Sequence, residues 1–150
     1  MFRCLARSGM PKAQHEVELT VRLGTEPGAL GRVLSVLADH SVNVLAYCAY
    51  TEHRESILLL VSDNPLTAKE ALTTVGYPCR ANSVVLVGAP DHIGSAATVG
   101  ARLGLAGVNI LYSYASSAIA DRFYAVFKTN DDQRALAILN ASERSADRAA

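Results

Sequence analysis

Residues 26–47 and 92–113 read alike across a turn, a helix and a strand, and they do so at one unchanged offset. Gly28 and Gly94 stand 66 positions apart. The same spacing separates Val33 from Val99, Leu37 from Leu103, Val42 from Val108, and Asn43 from Asn109. A period of this length is too long for a typical solenoid unit. It fits a small α+β unit used twice. A chain of 150 residues leaves room for two such units and short flanks.

Hydrophobic period supplies the elements of each unit. Val17, Leu19, Val21 and Leu23 alternate with Glu18, Thr20 and Arg22, which predicts a strand with one wet face. Leu30, Val33, Leu34 and Leu37 then fall on one helical stripe. Residues 42–50 and 57–61 are rich in strand formers. Asn64-Pro65 is a helix start with a capping residue followed by proline, and Gly76 ends that helix. A fourth strand is expected around residues 79–83. No turn signal separates it from the next strand, so residues 79–89 read as one long strand crossing the boundary.

The second unit repeats this order. Strands are expected at residues 83–89, 108–115 and 123–127, with a helix over 94–105 and another carrying Ala135, Ile138 and Leu139. Residues 141–150 are polar and patternless, so the second unit is expected to lack its last strand. The expected organisation is a flexible lead over 1–15, units over 16–82 and 83–140, and a flexible tail over 141–150.

Charge and cysteine usage narrow the function classes. Lys+Arg and Asp+Glu both number 14, for a formal net charge of zero. That speaks against a nucleic-acid binder, which carries a basic surface. Cys4, Cys48 and Cys79 are widely spaced and odd in number, so neither a disulfide framework nor a metal ribbon is expected. No metal or cofactor is called for, and His15, His40 and His53 have no metal-ligand spacing. No run is long and apolar enough for a membrane span, and reduced thiols fit a cytoplasmic location.

Three features together are similar to the ACT family. They are the turn Glu26-Pro27-Gly28-Ala29-Leu30, the helix stripe behind it, and Val42-Asn43-Val44 at the start of the next strand. The glycine-to-asparagine spacing of 15 recurs between Gly94 and Asn109. The resemblance covers residues 16–140 and is nearest to free-standing tandem-ACT proteins. It implies two ferredoxin-like βαββαβ units with antiparallel sheets, and a regulatory role in which a free amino acid is sensed at interfaces of ACT units. Carried over to this chain, the implied ligand-binding residues are Thr25, Pro27, Gly28, Ala29, Leu30 and Asn43 in the first unit. In the second they are Asp91, Ile93, Gly94 and Asn109. The chemistry suits that ligand. A glycine ahead of a helix lets a ligand approach the backbone, helix-start amides attract a carboxylate, and an asparagine can bond both charged groups of an amino acid. The second unit departs from the pattern with Ile93 for the proline and Ala96 for the leucine.

No nucleophile–base pair, carboxylate pair or metal set marks an enzyme. Two other readings share the strand order. One is an RNA-binding or protein-interaction module, with Phe123, Tyr124 and Phe127 as stacking rings. The other is a small acylphosphatase-like enzyme, which needs a phosphate-cradling loop with an arginine. Residues 25–28 hold none, and Arg32 lies a turn later. The expected partners are a free amino acid or similar small effector, a second copy of the chain in a homodimer or larger assembly, and an unidentified regulated enzyme. Neither nucleic acid nor membrane is expected.

Overall fold

The computed structural model describes residues 12–119 and 122–141. The element order is β1 (Lys12–Leu23), α1 (Ala29–Asp39), β2 (Val44–Glu52), β3 (Glu55–Ser62), α2 (Pro65–Thr74), β4 (Cys79–Pro90), α3 (Ser95–Leu105), β5 (Ile110–Ile119), β6 (Arg122–Thr129) and α4 (Asp132–Asn140). The fold is α+β, with the β-α-β-β-α order used twice as the repeat requires.

The chain divides into two units. One is Val17–Asn82, and the other joins residues 12–16 to the chain from Ser83 onward. In the first unit β3 lies between β2 and β1 and is antiparallel to both. Ser56 faces Leu23 on one side and Thr51 on the other. The ends of β1 and β2 therefore meet the start of β3 at one end of the sheet. Leu19 and Val21 of β1 and Leu58 and Leu60 of β3 share the face covered by helices, because alternate residues of a strand point the same way. Val33 and Leu37 of α1 and Ala68 and Leu72 of α2 complete that core. Each fully enclosed leucine is worth about 1.5–3 kcal/mol of transfer free energy. Asn64 caps α2 by accepting the Thr67 N–H at 3.1 Å, with Pro65 in the first turn, as the dipeptide predicts. The segment 79–82 is tied to β1 by the Asn82 amide, which donates to Thr20 Oγ1 at 2.9 Å.

The second unit has the same plan. Here β6 lies between β4 and β5, antiparallel to both, and Ala89 faces Phe123 as Leu23 faces Ser56. Its core combines Val85 and Val87, Val99 and Leu103, Ala125 and Phe127, and Ala135 and Leu139. Asp131 caps α4 through the Arg134 N–H at 3.0 Å.

β1 begins earlier than the hydrophobic alternation does. Residues 12–15, expected within the flexible lead, are strand. Ala13 is buried in the core of the second unit. Its N–H donates to Asn140 Oδ1 at 2.9 Å, and Asn140 Nδ2 donates to its carbonyl at 2.8 Å. One side chain thus supplies both bonds that a neighbouring strand would make. The second unit therefore takes strand residues from the chain ahead of the first unit. Residues 1–11 and 142–150, expected to be flexible, lie outside the described residues, and so does any strand after α4.

Two predictions follow from these anchors. Asn140→Ala leaves both polar groups of a buried backbone position unpaired. It is expected to lower unfolding free energy by about 1–3 kcal/mol in urea titration. The second concerns Asp132, which accepts from Thr129 Oγ1 at 2.7 Å and from Lys128 Nζ at 3.1 Å. Burial alone would raise its pKa. Hydrogen bonds from Thr129, Ser83 and Lys128 outweigh that and hold it below the usual carboxylate value. A depressed folded-state pKa stabilises the protein above the unfolded value, and that stability is lost as pH falls through the folded value. The stability gap between the native chain and Asp132→Asn should therefore be full near neutral pH and shrink below about pH 4.

Candidate functional site

The loop between β1 and α1 turns on Gly28, whose backbone is left-handed at φ 86° and ψ −2°. Gly94 holds the same place before α3, at φ 92° and ψ −8°. A side chain at such an angle costs about 1–2 kcal/mol, which accounts for glycine at both positions. Neither α1 nor α3 has a side-chain cap, whereas α2 and α4 both do. At the start of α1 the Ala29 N–H reaches the Glu26 carbonyl and the Arg32 N–H that of Gly28. The amides of Leu30 and Gly31 between them have no hydrogen-bond partner among the described residues. In α3 the Ser95 and Thr98 amides are paired and those of Ala96 and Ala97 are left in the same way. Unpaired first-turn amides carry the positive end of the helix dipole.

A cavity lies at each of these turns. In the first unit it occupies about 240 Å³. The turn contributes Thr25, Glu26, Gly28, Ala29 and Leu30, and the strand ends contribute Leu23, Ala49, Tyr50, Thr51 and Ser56. Thr51 and Ser56, opposite one another on β2 and β3, share a hydroxyl hydrogen bond of 2.7 Å. Glu26 forms an ion pair with Arg32 beside the turn. In the second unit the cavity occupies about 340 Å³ and is lined by Asp91, His92, Gly94, Ser95, Ala96, Ala97, Ala115 and Phe123. The Ser95 hydroxyl and His92 Nδ1 are hydrogen-bonded at 2.8 Å. This contact spans three residues of one turn and is joined by the Ser95 N–H on the His92 carbonyl, so it serves to shape the turn.

The structure gathers some of the predicted residues and separates others. Thr25, Gly28, Ala29 and Leu30 line the first cavity, and Asp91 and Gly94 line the second. Pro27 and Ile93 are exposed on the turns, outside the linings. Asn43 and Asn109 are exposed at the far ends of α1 and α3 and line neither cavity. The 11 residues of α1 span about 16 Å between Gly28 and the approach to Asn43. Asn43 exchanges backbone bonds with Asp63: its N–H donates to Asp63 Oδ1 and its carbonyl accepts the Asp63 N–H, both at 3.0 Å. Asn109 does the same with Asn130, at 2.9 and 3.1 Å. The strand-end residues of each cavity were missed from sequence, because their link to the turn exists only through sheet register.

The geometry also bears on the other readings. Phe123 and Phe127 are 6% and 7% exposed and belong to a core, so neither ring stands on the surface as a platform for base stacking. Arg32 is engaged by Glu26. Among the described residues, no helix is long and apolar enough to cross a membrane.

No protein-family model matches the chain, and no curated protein matches it. Solved structures do. The chain is similar to protein BT0572 from Bacteroides thetaiotaomicron, at 26% identity and a TM-score of 0.78 over 85% of this chain and 88% of that one. It is similar to the regulatory subunit of aspartate kinase from Thermus thermophilus in its ligand-free form, at 16% identity and a TM-score of 0.63 over 88% and 97% of the two chains. The regulatory subunit of aspartate kinase from Thermus flavus matches at 17% identity and a TM-score of 0.60 over 87% and 94%. These two likenesses are of fold.

The asparagine contacts make a prediction. Because Asn43 is held through its backbone, Asn43→Ala should change unfolding free energy by less than about 0.5 kcal/mol. Asp63→Ala removes the acceptor and should cost about 1 kcal/mol in the same denaturant titration.

Proposed function

We propose that this tandem ACT-type fold serves as a regulatory protein that binds a free amino acid, and that it is not an enzyme. The observation carrying the reading is that both units open a cavity at the same turn, ahead of a helix start whose amides are unpaired. A ligand α-carboxylate would be met by the amides of Leu30 and Gly31, or of Ala96 and Ala97. Its ammonium group would be met by the Glu26 or Asp91 carboxylate. The role proposed for Thr25, Gly28, Ala29 and Leu30, and for Asp91 and Gly94, is to form these sites. Pro27 presets the first turn by fixing its own φ, and Ile93 takes its place in the second. The fold likeness to regulatory subunits supports a regulatory role, with an enzyme as the regulated partner. A cytoplasmic location goes with this reading.

Asn43 and Asn109 enter the proposal through self-association. Each stands at the opposite end of its unit from the turn, so it can meet a bound ligand only across an antiparallel contact with another unit. A homodimer or larger assembly of the chain provides such a contact.

The test is a thermal-shift screen of the full chain against the twenty amino acids. A ligand that binds only the folded state at a hundred times its Kd stabilises it by about 2.7 kcal/mol. A clear rise in Tm with at least one amino acid is expected, and no shift with any of them would end the reading. Light scattering should give at least a dimer. In that dimer, Asn43→Ala should weaken the ligand about tenfold to a hundredfold. An unchanged affinity would confine binding to the turn and its cavity.

A further inference from the structure

The two cavities occupy equivalent places but have different floors. Sheet register makes the equivalence explicit. Ser56 faces Leu23 in the first unit and Phe123 faces Ala89 in the second, with Leu23 and Ala89 at the 66-residue repeat offset. The same strand position thus carries a hydroxyl in one cavity and a phenyl ring in the other, and both side chains line their cavity. In the first, Ser56 is backed by Thr51, and the hydroxyl pair at 2.7 Å uses one donor and one acceptor. Each hydroxyl can donate one hydrogen and accept two, so the pair keeps a donor and acceptors for a third group. In the second, Phe123 is joined by Ala96, Ala97 and Ala115, while the polar residues Asp91, His92 and Ser95 belong to the turn. The helix wall differs too. Leu30 of the first cavity is replaced at the repeat offset by Ala96, and the second cavity is larger, at about 340 against 240 Å³.

We infer that the two cavities select amino acids of different side-chain class. The first takes a small, uncharged side chain bearing a hydrogen-bonding group, and the second takes an apolar side chain. The inference rests on the effector-binding reading above. A polar ligand group finds the Thr51–Ser56 pair in the first cavity. The Phe123 floor strips water from the same group without offering a bond, and the Ser95 hydroxyl and His92 Nδ1 on the turn are already paired with each other, a penalty that disfavours it. An apolar side chain gains contact with the phenyl ring and the alanines, and the volume freed by Ala96 lets it enter. In the first cavity that side chain would leave the hydroxyl pair facing it without water. Ser56 and Phe123 are therefore the specificity-determining residues.

Calorimetry on the full chain tests this with two variants that leave the cores in place. Ser56→Ala removes the hydroxyl. Ala96→Leu puts the first unit's wall residue into the second cavity on a helix position that is exposed and tolerates leucine. L-serine, L-threonine and L-asparagine are the polar probes, and L-valine, L-leucine and L-phenylalanine the apolar ones. The expected result is that one probe of each class binds the native chain without competing with the other. Ser56→Ala then weakens the polar probe about tenfold and spares the apolar one. Ala96→Leu weakens the apolar probe by a similar factor and spares the polar one. Circular dichroism melts establish that both variants fold, and Thr51→Val replaces Ser56→Ala if that one does not. Binding of a single class only, or both variants acting on one probe, would overturn the selectivity while leaving effector binding intact. Failure of all twenty amino acids to bind the native chain would remove the effector reading itself and this inference with it.

Discussion

Each unit of this chain needs a strand beyond its own first strand, and that need governs how the whole chain is laid out. A three-stranded sheet under two helices leaves one side of its first strand with unpaired backbone groups. The first unit meets the need with residues 79–82, which follow its second helix in the ordinary way. The second unit has residues 12–16 in its place, drawn from ahead of the first unit. As a result β1 and β4 are each 12 residues long, and each contributes to both units. Where residues 12–16 would otherwise present an open backbone at Ala13, Asn140 closes it with two hydrogen bonds. The amide is the right group for this, because it alone among neutral side chains offers a donor and an acceptor side by side.

The same architecture determines where a cavity opens. With β1 and β2 ending where β3 begins, the loop after β1 closes over three strand ends at once. A loop that runs straight into a helix places unpaired amides beside those ends. The left-handed glycine brings the backbone round without a side chain standing in the space. The cavity is thus a consequence of topology, and duplication produced it twice. Topology sets the part of each cavity that carries the turn and its unpaired helix-start amides. What remains free to vary is the strand-end floor, and there the two copies differ.

Much of the fold was legible because hydrophobic period survives in both copies. The α1 stripe at Val33 and Leu37 and the α3 stripe at Val99 and Leu103 are both buried as read. The Asn64-Pro65 start behaves as its chemistry dictates, because a cap needs only local residues. Residues 12–16 were not legible. They read Lys-Ala-Gln-His-Glu, with Ala13 as the one apolar side chain, and an edge with so little to bury has no alternation to detect. The turn residues of the site were readable from the glycine and proline that shape them. Ser56, Ala115 and Phe123 were not, since their role depends on which residue of another strand they face. Recurrence at one offset flagged Asn43 and Asn109 equally with the glycines. In the structure those asparagines have a backbone account of their own, in the bridges to Asp63 and Asn130.

Recurrence therefore carries two kinds of information that sequence alone does not separate. Gly28 and Gly94 recur because a left-handed turn, at φ 86° and 92°, disfavours any side chain, and that constraint is the same whether or not a ligand binds. Where the copies agree, the fold alone is a sufficient reason. Where they disagree inside an otherwise conserved geometry, the fold is not. Serine and phenylalanine at one strand position are both compatible with the sheet, yet they give the space beside them opposite chemistry. The Ser56 hydroxyl bonds across strands to Thr51 and keeps further hydrogen-bonding capacity, which it offers to the cavity it faces. The second unit has Phe123 at that position, and the ring joins its core. The first unit instead holds Ser56 against Thr51 and leaves the smaller cavity polar at its floor. The divergence at this position, more than the repetition around it, is the feature that points away from a purely structural duplication.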